Sequence, residues 1–247
     1  MRIAILSDIH SNLFALEAVI SDIKQRNADI TVNLGDILYG PIAPRATYDL
    51  LQEYDFVTIA GNQDRQIVAA TQAEIEANPT LKFILEELGA ESVEWLKSLP
   101  GESRVTDEIY LCHGSPNDDM TYLLESVESG LPGLRSDPEI LHLLNGHKEK
   151  VILCGHTHIA RAVFTSSGQL IVNPGSVGLP AYTDDTPVRH SMQSFSPHTT
   201  YAMIENCGQG WSVQHIKVAY DYQKAVALAQ KRNRADWAHF LATGRGL

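Results

Sequence analysis

Two periodicities share the first sixty residues. Apolar runs at 2–7 (RIAILS), 30–34 (ITVNL) and 56–60 (FVTIA) have strand length and are rich in branched residues. Between the first two, Leu13, Leu16, Val19, Ile20 and Ile23 recur at helical spacing behind Asn12, whose side chain suits a helix N-cap. Pro44 is placed to open a further helix carrying Tyr48, Leu50 and Leu51. Strand–helix alternation of this kind predicts an α/β fold, a sheet with helices packed on its faces.

The middle of the chain reads as helical: one helix over 63–77, a second over about 80–88 and a third over 91–98, before Pro100–Gly101. Strands return at 109–113 (IYLCH) and 150–154. The stretch between them, about 115–148, holds Pro116, Gly130, Pro132, Gly133 and Pro138. It predicts loop with one or two short helices, suited to a lid. Residues 161–166, 170–173, 200–205 and 211–218 alternate like antiparallel strands. The polar 183–199 segment, with Pro187 and Pro197, predicts a long loop, and 221–242 predicts one or two closing helices.

At 247 residues and 44% hydrophobic composition the chain is expected to form a single domain over 1–247. The net charge of −11 argues against a stable nucleic-acid complex, which needs a positive surface. A small phosphorylated substrate stays compatible, because bound cations reverse the local sign. No apolar run is long enough to cross a membrane, and the N-terminal run, broken by Ser7 and Asp8, is too short for a signal-peptide core. The three widely spaced cysteines predict no disulfide framework and a reducing, cytoplasmic location; Cys112 and Cys154 sit in apolar runs and read as buried thiols. No heptad or long exposed apolar strand sets an oligomeric state.

The chemistry follows from where polar residues fall. Asp8 and His10 follow the first strand, Asp36 the second and Asn62 the third; His113 ends a later strand, and His156 and His158 follow the next. Residues just past the carboxyl ends of strands converge on one crevice in open α/β sheets. Asp8-Ile9-His10 and His156-Thr157-His158, read as extended, each put two side chains on one side. Two Asp, four His and one Asn suit Mn²⁺, Fe²⁺, Zn²⁺, Co²⁺ or Ni²⁺ better than a thiolate metal. Each pair alone is more often a turn or surface feature than a ligand set; the series in this order at strand ends is what points to a two-cation site.

The series Asp8-x-His10, Gly35-Asp36, Gly61-Asn62-x-Asp64, His113-Gly114 and Gly155-His156-Thr157-His158, extended by Asn173-Pro174-Gly175-Ser176, resembles the calcineurin-like metallophosphoesterase superfamily. Gly35-Asp36 followed by Tyr39-Gly40-Pro41 further resembles its bacterial and archaeal YfcE-like or diadenosine tetraphosphatase-related branch. The resemblance implies a two-sheet β-sandwich flanked by helices. It implies one cation on Asp8, His10, Asp36 and His158 and another on Asp36, Asn62, His113 and His156, with Mn²⁺ the leading metal. A hydroxide between the cations would attack phosphorus in line, making Asp36, Asn62 and His113 the catalytic set. The implied activity is hydrolysis of phosphoric esters or anhydrides, foremost by a phosphodiesterase or a dinucleoside polyphosphate hydrolase. Alternatives are a serine/threonine protein phosphatase and a non-catalytic metal-binding scaffold, as one retromer subunit is.

Gln63 departs from the family pattern, which often has His there. Glutamine donates a hydrogen bond but no proton at neutral pH, so substrates with good leaving groups are expected. Gln63, Arg65, Tyr39 and Asn62 are the substrate-binding candidates; Tyr39 is placed to stack on a base or to pack as a loop aromatic on Pro41. Arg189 and His190, in the polar loop, are further substrate candidates. His215 and His239 read as surface or core residues.

Overall fold

A computed structural model describes residues 1–247. Its first half runs β1 (Arg2–Leu6), α1 (Leu13–Arg26), β2 (Ile30–Asn33), α2 (Pro44–Leu51), β3 (Val57–Thr58), α3 (Asn62–Ala69), α4 (Gln72–Ala77), α5 (Pro79–Ser98), β4 (Glu102–Thr106) and β5 (Ile109–Cys112). There follow β6 (Glu125–Ser126), β7 (Gly133–Leu134), α6 (Asp137–Leu143), β8 (Val151–Leu153), β9 (Arg161–Phe164) and β10 (Leu170–Asn173). The chain closes with β11 (Ala181–Asp184), β12 (His190–Gln193), β13 (Thr199–Asn206), β14 (Trp211–Val218), α7 (Tyr222–Lys231) and α8 (Ala235–Thr243).

Two five-stranded sheets, in the orders β14-β13-β1-β2-β3 and β4-β5-β8-β10-β9, are flanked by helices, as the resemblance implied. β1, β2 and β3 run parallel, as do β5, β8 and β10, so their carboxyl ends open on one edge. Alternation sorts β1: Ile3 and Ile5 join Val32, Leu34, Ile109, Leu111, Val151 and Leu153 in an apolar cluster drawn from both sheets. Ala4 and Leu6 instead meet Leu16, Val19 and Ile20 of α1. Ile5 is fully buried. Ile5→Ala is expected to cost about 2–5 kcal/mol of unfolding free energy, a cavity-forming deletion read by urea denaturation; a loss below about 1 kcal/mol would contradict this packing.

Several predicted elements are corrected. The 63–77 helix is two helices, α3 and α4, because Thr71 accepts from the Glu74 N–H (3.3 Å) and Glu74 returns a bond to the Thr71 N–H (2.8 Å), a capping box that restarts the helix. The 80–88 and 91–98 helices form α5, bent at Gly89, where φ is 69°. The 183–199 loop contains most of the β11–β12 hairpin, since Thr183 pairs with Ser191 and Asp184 with His190. β4 went unpredicted. The 115–148 stretch holds the short β6–β7 pair and α6. No helix is long and apolar enough to cross a membrane.

Candidate metal centre

The segments leaving β1, β2, β3, β5 and β8 carry the ligand candidates, and unusual backbone aims five of them. Asp8 (φ 56°), His10 (49°), Asp36 (54°), His156 (68°) and His158 (59°) all occupy the left-handed region. The Asp-x-His and His-x-His pairs therefore converge through left-handed turns, which corrects the extended reading. Each such residue costs about 1–3 kcal/mol unless its surroundings hold it there. Here one loop ties to the next: Asp8 N–H donates to the Gly35 carbonyl (2.9 Å), His10 N–H to Asp36 (3.0 Å), Gly178 N–H to Asp8 (2.9 Å) and Gly155 N–H to His113 (2.7 Å).

Glycine allows the second crossing. A Cβ on Gly61 would overlap Asp36 Oδ1 and sit 2.9 Å from His113 Cε1. Gly61→Ala is expected to reduce Mn²⁺ binding by at least about tenfold, since it displaces Asp36 and His113 together; each 1.4 kcal/mol of lost affinity is tenfold. Wild-type affinity in a Mn²⁺ titration of that variant would contradict the stated crowding.

Ligand atoms of Asp8, His10 and His158 lie within 4.8 Å of one another, and so do those of Asp36, His113 and His156. All but His156 are buried. His10 Nδ1 donates to the Tyr39 carbonyl (3.1 Å) and His158 Nδ1 to the Leu179 carbonyl (2.7 Å). A neutral ring so tethered keeps its lone pair on Nε2, and the two Nε2 atoms face each other at 3.0 Å. Asp8 Oδ1, 3.2 Å from His158 Nε2, is buried and accepts no hydrogen bond. Two imidazole nitrogens and a carboxylate oxygen crowded together in a buried place fit the ligand set of a cation.

In the second group His113 Nδ1 donates to the Leu34 carbonyl (2.7 Å), and its Nε2 faces Asn62 Oδ1 (3.0 Å) and Asp36 Oδ2 (3.5 Å). His156 reverses the arrangement: Nε2 donates to the Met120 carbonyl (3.1 Å), leaving Nδ1 for the site. The His156 N–H also donates to Asp8 Oδ2 (3.2 Å), coupling the two groups.

Charge follows this geometry. Burial disfavours a charged His10, and the neighbouring His158 adds to the effect; His10 falls to about 4. Burial and then His113 likewise lower His156 to about 4. Burial opposes charge on His113 too, but the Asp36 carboxylate, its hydrogen bond and Asp8 outweigh it and raise His113 to about 10. Burial pushes Asp36 up, yet His113, and after it His10 and His156, hold it well below the usual range. Asp8 is likewise lowered, burial being outweighed by His158 and His113.

A metal-free His113 thus carries a proton at neutral pH that a cation must expel. Mn²⁺ affinity is expected to rise with pH up to about 10, by up to about tenfold per unit. Calorimetric titration at several pH values reads this slope; an affinity independent of pH would contradict the assignment.

Asp64 is structural. It accepts from the N–H groups of Gly61 (3.0 Å), Ile37 (2.9 Å) and Leu38 (3.4 Å), locking the Asp36 and Asn62 loops together. Burial and then the Asp36 charge push its carboxyl up to about 7. Asn173 Nδ2 fastens the His156 loop through the Gly155 carbonyl (2.7 Å) and Thr157 Oγ1 (3.0 Å).

His10, Asp36, Asn62, His156 and His158 open into a cavity of about 690 Å³, with Tyr39 and Gln63 in its lining. Gln63 donates its backbone N–H to Asp36 Oδ1 (2.8 Å), and its side-chain oxygen is unpartnered. Tyr39 OH accepts from Asn78 (2.9 Å). Arg65 does not reach this cavity: it is bound by Asp119 at 2.8 and 2.7 Å in a neighbouring groove. Arg189 lines the cavity, whereas His190 is buried behind it, bonded to Tyr122 OH (3.1 Å). His215 donates to the Asn173 carbonyl (2.9 Å). Met120, Thr121, Tyr122, Val127 and Arg135 bring the 115–148 segment into the wall. The three cysteines are free thiols, Cys112 and Cys154 buried.

A family model described as the calcineurin-like phosphoesterase superfamily domain matches residues 1–205. The uncharacterised protein MJ0912 of Methanocaldococcus jannaschii is 24% identical, over 95% of this chain and 94% of its own length. The crystal structure of a metallophosphoesterase from Sphaerobacter thermophilus superposes with a TM-score of 0.75 at 24% identity, covering 99% of this chain and 100% of that one. YfcE, a phosphoesterase from E. coli, gives 0.47 at 20% identity over 89% and 100%. These likenesses concern the fold.

Proposed function

Because the chain belongs to the calcineurin-like phosphoesterase superfamily, we propose that it is a metal-dependent hydrolase of phosphoric esters or anhydrides, acting on phosphodiesters or dinucleoside polyphosphates. The observation that carries this reading is the pair of buried donor groups beside the cavity, where imidazole nitrogens and carboxylate oxygens from distant loops crowd within ligand distance of one another.

Asp8, His10 and His158 would hold one divalent cation, and Asp36, Asn62, His113 and His156 the other. Asp36 Oδ2 lies 3.5 Å from His113 Nε2, so its carboxylate would supply negative charge to a cation held there. Two such cations lower the pKa of a water and stabilise charge on the phosphoryl oxygens, Mn²⁺ being our leading choice. Asn62 projects its amide into the cavity, with its oxygen toward His113 and its nitrogen available to a phosphoryl oxygen. Gln63, beside it, offers a hydrogen bond but no proton to the leaving group.

The test is a substrate screen of the purified protein with and without Mn²⁺: bis-p-nitrophenyl phosphate, dinucleoside polyphosphates, nucleotides and phosphopeptides. We expect Mn²⁺-dependent turnover of diesters or anhydrides, with phosphopeptides slow. A folded, metal-loaded sample that leaves every compound intact would replace this reading with a scaffold role.

A further inference from the structure

The family match ends at residue 205, yet the cavity beside the donor groups takes Arg234, Asp236, Trp237, Phe240 and Leu247 from beyond it. This wall lies outside the residues that the family model matches. It encloses far more room than a phosphoryl group fills: about 690 Å³ lies within the range of sites that bury an organic ligand.

The wall is aromatic where it meets the donor groups. The Trp237 ring meets His10 edge-on, with centroids 5.7 Å apart, and Tyr182 meets His158 in the same way at 4.7 Å. Because His10 and His158 are themselves adjacent, at 4.9 Å, the two aromatic side chains flank the first donor group. Trp237 and Phe240 are each only 5% exposed, so the wall is held in place before any ligand arrives. The Leu247 N–H donates to Thr183 Oγ1 (2.9 Å), tying the chain end to the β11–β12 hairpin that carries Tyr182.

The arginines on this side each have a partner already, Arg135 donating to the Tyr122 carbonyl (3.1 Å). Arg234 is bound by Asp236 at 2.9 and 2.6 Å and donates to Thr80, and Arg189 is paired with Asp185 at 3.3 Å. Discrimination therefore falls to the aromatic surface.

We propose that Trp237 and Tyr182, backed by Phe240, form a subsite for a planar aromatic or heteroaromatic ester group carried by the phosphate that the donor groups bind. The inference rests on the phosphoesterase reading and narrows its substrates to esters with such a group. Offset or edge-on aromatic contacts add about 0.5–1.5 kcal/mol to the burial of the ring.

Phenylphosphonate and methylphosphonate separate this inference from the reading beneath it, because both present the same anionic head and neither needs turnover. We expect the Mn²⁺-loaded wild type, in calorimetric titration, to bind phenylphosphonate about tenfold tighter or more. Trp237→Leu should reduce that ratio to about threefold or less, and Tyr182→Leu gives the same readout from the facing wall if the first variant does not fold. Equal wild-type affinities would overturn the aromatic subsite and leave the metal reading standing, and a ratio unchanged in the folded variant would do the same. Failure of the metal-loaded protein to bind either phosphonate would overturn the metal-centred reading, and the subsite with it.

Discussion

Replacing Asp36 by asparagine is expected to lower Mn²⁺-dependent hydrolysis of bis-p-nitrophenyl phosphate by about 10³-fold or more. Asparagine keeps the size of the side chain and an acceptor oxygen, so the Gln63 N–H that donates to Oδ1 at 2.8 Å can keep its partner. What it removes is the negative charge, in a buried place beside His113. Two cations a few ångströms apart would repel strongly where water is excluded, and a carboxylate there would offset that repulsion. A loss of several kcal/mol of transition-state stabilisation at 1.36 kcal/mol per tenfold gives the stated magnitude. The measurement is kcat/KM beside the metal content of the same preparation. A fall of less than about tenfold with full metal occupancy would remove Asp36 from the centre of the account.

Gln63→His is expected to raise turnover of alkyl phosphate monoesters about 10²-fold relative to aryl diesters. Gln63 lines the cavity beside Asn62 with an unpartnered side-chain oxygen, so an imidazole there would face the substrate. A positioned general acid contributes about 10²–10⁴-fold where the leaving group needs a proton, and little where it leaves as an acidic phenol. We place the gain at the lower end because Asp64, the neighbour able to orient the new ring, is already committed to three backbone N–H groups. Parallel assays with an alkyl monoester and with bis-p-nitrophenyl phosphate read the ratio, and an unchanged ratio would contradict this account of the substitution.

The strand-end residues were legible because each stands at a boundary that local pattern reveals. β1, β2, β5 and β8 are short apolar runs, and a polar residue just beyond such a run has few other reasons to be there. The way they converge was not legible. Asp8, His10, Asp36, His156 and His158 adopt positive φ, a conformation that neighbouring loops impose through bonds such as Asp8 to Gly35 and His10 to Asp36. No window of sequence holds both partners of those bonds.

The partners of Asp64 were not legible for the same reason, since two of its backbone donors, Ile37 and Leu38, lie on a different loop. The break between α3 and α4 was written locally: Thr71 and Glu74 have capping-box spacing, and the apolar pattern around them masked it. Arg65 looked available to a phosphate by its place after Asn62, but Asp119, distant in the chain, binds it. Trp237 gave no local sign of facing a cavity, because α8 reaches His10 only through the packing of the closed fold.

On the proposed reading two separate donor groups would each hold a cation, and catalysis would need both. The test is to titrate the metal-free protein with Mn²⁺ while following diester hydrolysis. Activity is expected to climb until two equivalents per chain are bound and then to level off. A plateau after a single equivalent, or saturated binding with no hydrolysis at all, would contradict it.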